Sequence, residues 1–310
     1  MAAINLRGDW EFFCQTLDFP AVNGSPCMCW RCRASNDPAS GLCWTGEGWR
    51  ATNMSHNDYI AKLHAEGLPI PVLFLILTLV LEGCCVDVLH AVDQGISSHI
   101  IANVFVEVMP SMGANQKERV HNLELELRDW ERRTESTSRL QGKLTYQRIK
   151  EASEWPLLKA KAATTRNLSR FALELSSLYN SKSVHDERRK ALCLCLARFY
   201  EIIDREESHV MSERALAELT HISRALKSLY VALSEEALQN SVRAWKMTGK
   251  LHLVQHLCEQ QAAEVGNPRF SWCYADEDLQ KWMKTVALSC HPANVAHMTM
   301  WKWVTHVFAE

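Results

Sequence analysis

Four cysteines fall within a short, irregular stretch near the start of the chain, namely Cys27, Cys29, Cys32 and Cys43. Four thiolates in one loop can hold a tetrahedral zinc ion, and a segment without a core of its own would gain stability from it. The C-x-C-x2-C spacing differs from the usual zinc knuckle, and no second C-x2-C follows. The pattern therefore predicts either a zinc site or a group of buried, reduced thiols.

Two aspartates occupy positions where a carboxylate could meet a cation. Asp9 follows a predicted short strand from Ala2 to Leu6, and Asp87 follows a strongly apolar run. His90, three residues after Asp87, would face the same way on a helical turn, so the two could share a metal or the carboxylate could orient the imidazole. The simpler alternatives are a turn aspartate at position 9 and a helix-capping aspartate with a buried histidine at 87–90.

Two further groups lie in the C-terminal quarter. His252 and His256 are four residues apart on a predicted helix, a spacing that suits a metal, although Leu253 stands where a zinc protease needs glutamate. Packing of both imidazoles at a domain junction is the alternative. The acids Asp276, Glu277 and Asp278 begin a predicted helix, where the helix dipole alone favours them and where one could instead bind a metal.

The composition limits the class of protein to which these candidate residues can belong. The chain has 310 residues, 34 basic and 36 acidic side chains, a formal charge of −2 and 47% apolar residues. These values are typical of a globular protein of about two domains and exclude a disordered or highly basic chain. No glycine-rich phosphate loop, G-x-S-x-G elbow or H-E-x2-H motif occurs, which removes the corresponding kinase, dinucleotide, hydrolase and protease classes.

The elements that must position the candidate residues are mostly helical. Val72 to Val88 is rich in branched apolar residues and is predicted to form one or two buried strands. The charged segment from Asn115 to Lys150 is predicted to be helical, Pro156 suits a first helical turn, and Ser212 suits a helix cap. Apolar stripes at helical spacing between Leu168 and Leu233 favour antiparallel helices.

Several features bear on location and on membranes. The chain starts without a basic, apolar leader, and its longest apolar stretch, Pro71 to Leu81, has about eleven residues where a bilayer span needs roughly 20. We therefore expect no membrane partner, an intracellular location and reduced cysteines.

The order of these motifs resembles the later part of the transposase of CACTA-type DNA transposons. The segment from Lys250 to Met283 carries the most specific match, with Gly83 to Phe105 next and the N-terminal block suggestive. The resemblance implies an RNase H-like core interrupted by a helical insertion, so the fold class is mainly α with an incomplete α/β core. It also implies DNA as the partner, together with a second copy or another transposase chain, and a nuclear location.

The family's site is implied by the same resemblance. Two aspartates and one glutamate hold two Mg²⁺ or Mn²⁺ ions for in-line phosphoryl transfer. By motif, Asp9 corresponds to the second aspartate, Asp87 and His90 to the Asp-x2-His signature, and Glu277 to the late glutamate. These four residues are the expected catalytic set, with Asp9, Asp87 and Glu277 as the metal ligands.

The family's first catalytic aspartate has no counterpart in this sequence, and neither do the strands around it. We therefore expect a transposon-derived protein without strand-transfer activity of its own. The alternative is a non-catalytic helical module that binds protein or nucleic acid through its amphipathic helices and the tryptophans Trp301 and Trp303. The predicted organisation is a Cys/Trp-rich segment (1–67), a core remnant (68–110), a helical insertion (111–249) and a C-terminal part of the core (250–310).

Overall fold

The computed structural model describes residues 5–21, 27–150 and 154–307. Helices account for 65% of it and strands for 2%, which confirms the mainly α prediction. The chain forms two compact units, Met1–Ser271 and Trp272–Glu310. The segment boundaries predicted at residues 67, 110 and 249 fall inside the first unit and stay predictions.

The first unit is built around a helical bundle. Its helices are α3 (Ser98–Val108), α4 (Gln116–Arg133), α6 (Ala162–Leu178), α7 (Val184–Arg205) and α8 (Glu213–Gln239), with the short α5 (Tyr146–Ile149) between α4 and α6. Helix α7 packs on both α6 and α8, and α6 also packs on α3. Short links between consecutive helices favour the antiparallel packing that the sequence predicted.

The apolar stripes of these helices face one another. Leu168, Phe171 and Leu175 of α6 are buried, as are Leu196 and Phe199 of α7. Burial of such side chains is the main source of helix stability in a globular protein, since a helix of this length is marginal alone. Most apolar side chains of these stripes are therefore buried inside the bundle. Few of them remain exposed to form the binding surface that the alternative function requires.

Polar caps set where the helices begin. Ser212 accepts a hydrogen bond from the backbone N–H of Ala215, as predicted, and Asn115 accepts one from Glu118. Pro156 does not lie in the first turn of a helix as predicted, because α6 begins only at Ala162. The segment around Pro156 is instead held in an extended path, where the Leu158 N–H donates to the Ser98 carbonyl at 3.0 Å.

The remaining helices surround the candidate sites. In the first unit they are α1 (Trp10–Leu17), α2 (His56–Ala65), α9 (Lys250–His256) and α10 (Ala262–Glu264), and in the second unit α11 (Tyr274–Leu288) and α12 (Val295–Val307). π-Helical turns Leu89–Ser97 precede α3, and Leu257–Gln261 continue α9. None of the described helices combines the length and the apolar character of a membrane span.

Strand structure in the described residues consists of β1 (Leu6–Arg7) and β2 (Cys84–Cys85), paired in parallel with Leu6 opposite Cys84 and Arg7 opposite Cys85. Residues 2–4 of the predicted first strand lie outside the described residues. A two-stranded pair does not by itself establish the RNase H-like core, which stays a prediction.

The apolar run before β2 differs from the predicted strands. Val72–Leu75 and Leu81–Gly83 form 3₁₀ turns, and only Cys84–Cys85 is a strand. Within the run Phe74 and Leu79 are buried, whereas Leu75 and Leu77 are 69% and 90% exposed. A nearly continuous apolar run cannot be assigned to strand or helix by periodicity, because its single polar residue, Thr78, sets no repeating pattern.

A half-buried ionic contact joins three bundle helices and makes stability depend on pH. His185 of α7 lies with Nε2 3.0 Å from Glu107 Oε2 and Nδ1 3.0 Å from Glu236 Oε1, and Arg189 and Arg188 reach the same two carboxylates. The hydrogen bond to Glu107 raises the pKa of His185.

Since the folded pKa is raised, the stabilisation is complete below the unfolded value of about 6.5 and is lost as pH rises through the folded pKa. We expect the free energy of unfolding to fall by up to about 1 kcal/mol between about pH 6 and about pH 8, measured by urea titration. His185→Gln should remove that difference. An unchanged pH dependence in the variant would assign it to other groups.

Candidate metal centre and carboxylate cavity

Two cysteines and two histidines from opposite ends of the sequence meet in the interior of the first unit. Cys29, Cys32, His252 and His256 are all buried, and their ligand atoms lie within 4.8 Å of one another. Cys32 Sγ is 3.4 Å from Nε2 of both histidines, Cys29 Sγ is 3.4 Å from His256 Nε2, and the two Nε2 atoms are 3.1 Å apart. The cluster could therefore hold a metal ion such as zinc.

Local structure aims these four side chains inward. The Met28 N–H donates to the Ala34 carbonyl at 3.1 Å, which closes the cysteine segment into a tight loop. The Arg31 N–H donates to Cys29 Sγ at 3.3 Å, so one sulfur already accepts a backbone hydrogen bond. On α9 the i, i+4 spacing puts both imidazoles on one face.

The surroundings of the imidazoles fix their orientation. The Trp49 ring lies across both, with ring centroids 4.3 Å from His252 and 5.0 Å from His256. His256 Nδ1 lies 2.5 Å from Gln260 Oε1, the type of contact that orients a metal-binding histidine through its second nitrogen. Nε2 of each ring is thereby left facing the two sulfurs.

Cys29 and His252 have the protonation states that a metal ligand needs, whereas the raised pKa of Cys32 means that this thiol would lose its proton when a metal binds. Burial raises the pKa of the Cys29 thiol, but the hydrogen bond from Cys32 and the nearby His256 and His252 outweigh it and hold the pKa well below its usual range. The hydrogen bond to Cys29 is the largest of the effects that raise the pKa of Cys32. Burial lowers the pKa of His252 to about 4, which keeps its imidazole neutral at physiological pH.

The structure changes the membership of the zinc site predicted from the sequence. Cys29 and Cys32 belong to the described cluster, whereas Cys27 and Cys43 are not among its four ligands. Cys27 Sγ lies 3.7 Å from the Cys29 carbonyl oxygen, and Cys43 Sγ lies 3.1 Å from Thr45 Oγ1. His252 and His256 take their places, so the predicted histidine pair and half of the predicted thiol set form one site.

A second candidate site opens at the end of the parallel strands. Gly8 and Asp9 follow β1, and Val86 and Asp87 follow β2, so the strand register carries both aspartates to the same edge. Asp9, Asp87 and His90 line one cavity of about 850 Å³. The structure thus brings together three of the four residues predicted as catalytic.

Both carboxylates also cap the helical turn that follows. Asp9 Oδ1 accepts from the Phe12 N–H at 2.7 Å. Asp87 accepts from the N–H groups of Leu89 at 3.2 Å and His90 at 2.9 Å, and His90 Nδ1 lies 2.5 Å from Asp87 Oδ2. The capping role that the sequence offered as the simpler alternative is present, and it uses much of the hydrogen-bonding capacity of Asp87.

Lysines share the cavity with the acids. Lys246 and Lys250 line it, and Lys250 is the first residue of α9. Burial lowers the pKa of Lys250, and the charges of Asp9 and Asp87 partly oppose that effect. The cavity therefore brings two aspartates, His90 and two lysines together.

Glu277 lies in the second unit. It occupies the first turn of α11, and its Oε2 lies 3.9 Å from Lys281 Nζ. Its position at the start of a helix was predicted and is confirmed. Its grouping with Asp9 and Asp87 stays a prediction.

Comparison with known proteins gives no family for this chain. No protein-family model matches it, and no significant match was found among curated proteins or solved structures.

Proposed function

We propose that the protein derives from an RNase H-like DNA transposase and binds a phosphate group of DNA together with a divalent cation in the cavity of Asp9 and Asp87. One observation carries this proposal: two parallel strands place an aspartate each at the same edge, above one cavity. Carboxylates at that edge are where a cation for phosphoryl transfer would be held. The resemblance to the CACTA-type transposases supports the same assignment.

The capping bonds limit how many ions the site can take. An ionised carboxylate has about four lone-pair sites, and Asp87 already accepts two backbone hydrogen bonds and faces His90 Nδ1. The proposal is therefore limited to one Mg²⁺ or Mn²⁺ shared by Asp87 and Asp9. Two-metal catalysis needs two ions about 3.5–4 Å apart and enough carboxylate oxygens to bind both of them. Strand transfer by this chain alone is therefore not part of the proposal.

Each residue would then have a distinct task. Asp9 and Asp87 would hold the cation, which neutralises charge on a phosphate oxygen when it is bound. His90 would keep the Asp87 carboxylate in its orientation through the Nδ1 contact. Lys250, beside both acids, would meet the remaining phosphate charge. The predicted DNA partner and the nuclear location belong to this proposal.

Mn²⁺ titration followed by electron paramagnetic resonance tests it. We expect the free Mn²⁺ signal to fall as protein is added, with weak binding that disappears in Asp9→Asn and Asp87→Asn. Asp37→Asn is the matched control, because Asp37 caps a loop turn through the Ala39 N–H at 2.9 Å and lies elsewhere. Equal binding in all three variants, or none in the wild type, would refute a cation site at this edge.

A second candidate function, protein binding by a non-catalytic helical chain, is favoured by the apolar residues exposed before β2. Val72, Leu75 and Leu77 are 76%, 69% and 90% exposed, and contiguous exposed apolar side chains often mark contact surfaces. Failure of Mn²⁺ to bind would leave this as the better-supported function.

A further inference from the structure

We propose that the protein carries one zinc ion bound by Cys29, Cys32, His252 and His256, and that this ion ties the segment 27–54 to helix α9. The inference does not depend on the function proposed for the aspartate cavity. It combines two motifs, C-x2-C and H-x3-H, which are separated by 219 residues between Cys32 and His252.

The distances between the four ligand atoms suit a tetrahedral zinc ion. With Zn–N of about 2.05 Å and Zn–S of about 2.3 Å, tetrahedral geometry puts two nitrogens about 3.4 Å apart and a nitrogen and a sulfur about 3.6 Å apart. The observed separations are 3.1 Å between the nitrogens and 3.4 Å for three of the four nitrogen–sulfur pairs, and all the ligand atoms lie within 4.8 Å of one another. The nitrogen–nitrogen distance and these three nitrogen–sulfur distances differ from the tetrahedral values by only a few tenths of an ångström.

The donor set selects the metal. Two thiolates and two imidazoles in a tetrahedral arrangement suit zinc and disfavour Mg²⁺ and Mn²⁺, which prefer oxygen ligands. All four ligands are at most 2% exposed, so no coordination position faces water. A closed four-ligand shell is typical of zinc that stabilises structure, whereas catalytic zinc keeps one position open.

The segment that supplies the thiols buries Met28, Trp30 and Trp49 but contains little regular secondary structure. Between residues 27 and 54 its regular structure is limited to isolated bridges and the 3₁₀ turn Gly48–Thr52. Three ion pairs link it to other elements, from Arg31 to Glu264, from Arg50 to Glu259 and from Glu47 to Lys227. A structural zinc ion would add a contribution larger than that of a typical ion pair.

The same ion would fix two walls of the aspartate cavity. Trp30 lies between the two cysteines and lines the cavity, and Lys250, two residues before His252, lines it from the other side. Zinc would thus hold the N-terminal loop and α9 at a constant separation.

Metal analysis of the full-length protein, expressed with zinc supplied, tests the assignment. We expect one zinc per chain by inductively coupled plasma mass spectrometry, and its loss in Cys29→Ser and His256→Asn. Cys27→Ser and Cys43→Ser are the matched controls, because they remove neighbouring thiols outside the cluster and should keep the metal. Loss of zinc in Cys43→Ser with retention in His256→Asn would overturn the proposal in favour of the four-cysteine set.

Cobalt substitution keeps the test independent of whether a variant folds. Wild-type protein loaded with Co²⁺ should give the visible bands of a tetrahedral ion and a charge-transfer band of two thiolates. His256→Cys should retain metal and raise that band by about half, to three thiolates. A spectrum of six-coordinate Co²⁺, or a folded wild-type protein free of zinc, would refute the site. Neither result bears on Mn²⁺ binding by Asp9 and Asp87, so the two proposals fail separately.

Discussion

Removal of zinc by a chelator is expected to release the segment 27–54 while the helical bundle stays folded. Metal binding of this kind contributes roughly 10 kcal/mol or more to the folding of small zinc modules. Without the ion the four ligand side chains lose the bonds that join the loop to α9, and the short turns of the segment then depend on its buried side chains and ion pairs alone. The bundle helices bury their own apolar stripes and need no metal for that.

Hydrogen exchange followed by mass spectrometry measures both parts at once. In the chelated protein, amides of 27–54 should exchange at least about 100-fold faster, which corresponds to a loss of about 3 kcal/mol of local stability. Amides of α7 serve as the internal control and should keep their protection. Identical exchange of the segment with and without chelator would show that its ion pairs and buried tryptophans suffice.

Replacement of Tyr200 by phenylalanine is expected to destabilise the bundle by about 3 kcal/mol. Asp93 is completely buried, and the Tyr200 hydroxyl donates a hydrogen bond to its Oδ1. Burial, followed by the charge of Asp93, raises the pKa of Tyr200 well above its usual range, so the hydroxyl remains a donor. Arg166 lies over the Tyr200 ring at 5.0 Å, and phenylalanine would keep that contact.

Urea unfolding at neutral pH measures this cost. Tyr179→Phe is the matched control, because its hydroxyl also donates to a carboxylate, Glu126 at 2.5 Å, but at a half-buried position. That variant should lose less than about 1 kcal/mol. If Tyr200→Phe lost no more than the control, the Asp93 carboxylate would not depend on this donor.

The sequence predicted those parts of the structure whose causes are local. Apolar spacing predicts α6, α7 and α8, and Ser212 marks the start of α8, because both signals act over one or two helical turns. The helix predicted from Asn115 to Lys150 is shorter in the structure, where α4 ends at Arg133 and only α5 is helical after it. Asp9 and Asp87 each come two residues after a strand, but both strands are only two residues long. The helix start predicted at Pro156 is wrong, because hydrogen bonds to α3 and α5 hold the segment around Pro156 in a non-helical path. Such long-range contacts cannot be predicted from a local sequence pattern.

The metal centre shows where local reasoning stops. The sequence contains both halves as C-x2-C and H-x3-H, but proximity along the chain groups Cys29 and Cys32 with Cys27 and Cys43 rather than with the histidines. Which side chains meet across more than two hundred residues is decided by the packing of the intervening helices. The prediction of strands in the apolar run before β2 is wrong for another reason. The composition of the run fits a strand, but the neighbouring elements decide which of its side chains are buried.

Gly95 restricts which sequences can keep the aspartate cavity. It interrupts the turns before α3 with φ −92° and ψ −109°, and a Cβ built there would lie 2.9 Å from the His90 carbonyl oxygen and 3.0 Å from Lys250 Cδ. Even alanine would therefore require the backbone at His90 and the side chain of Lys250, both of which line the cavity, to shift. In a saturation scan of the gene, position 95 should therefore tolerate almost nothing in a selection for ligand binding, while a selection for protein abundance alone would be more permissive.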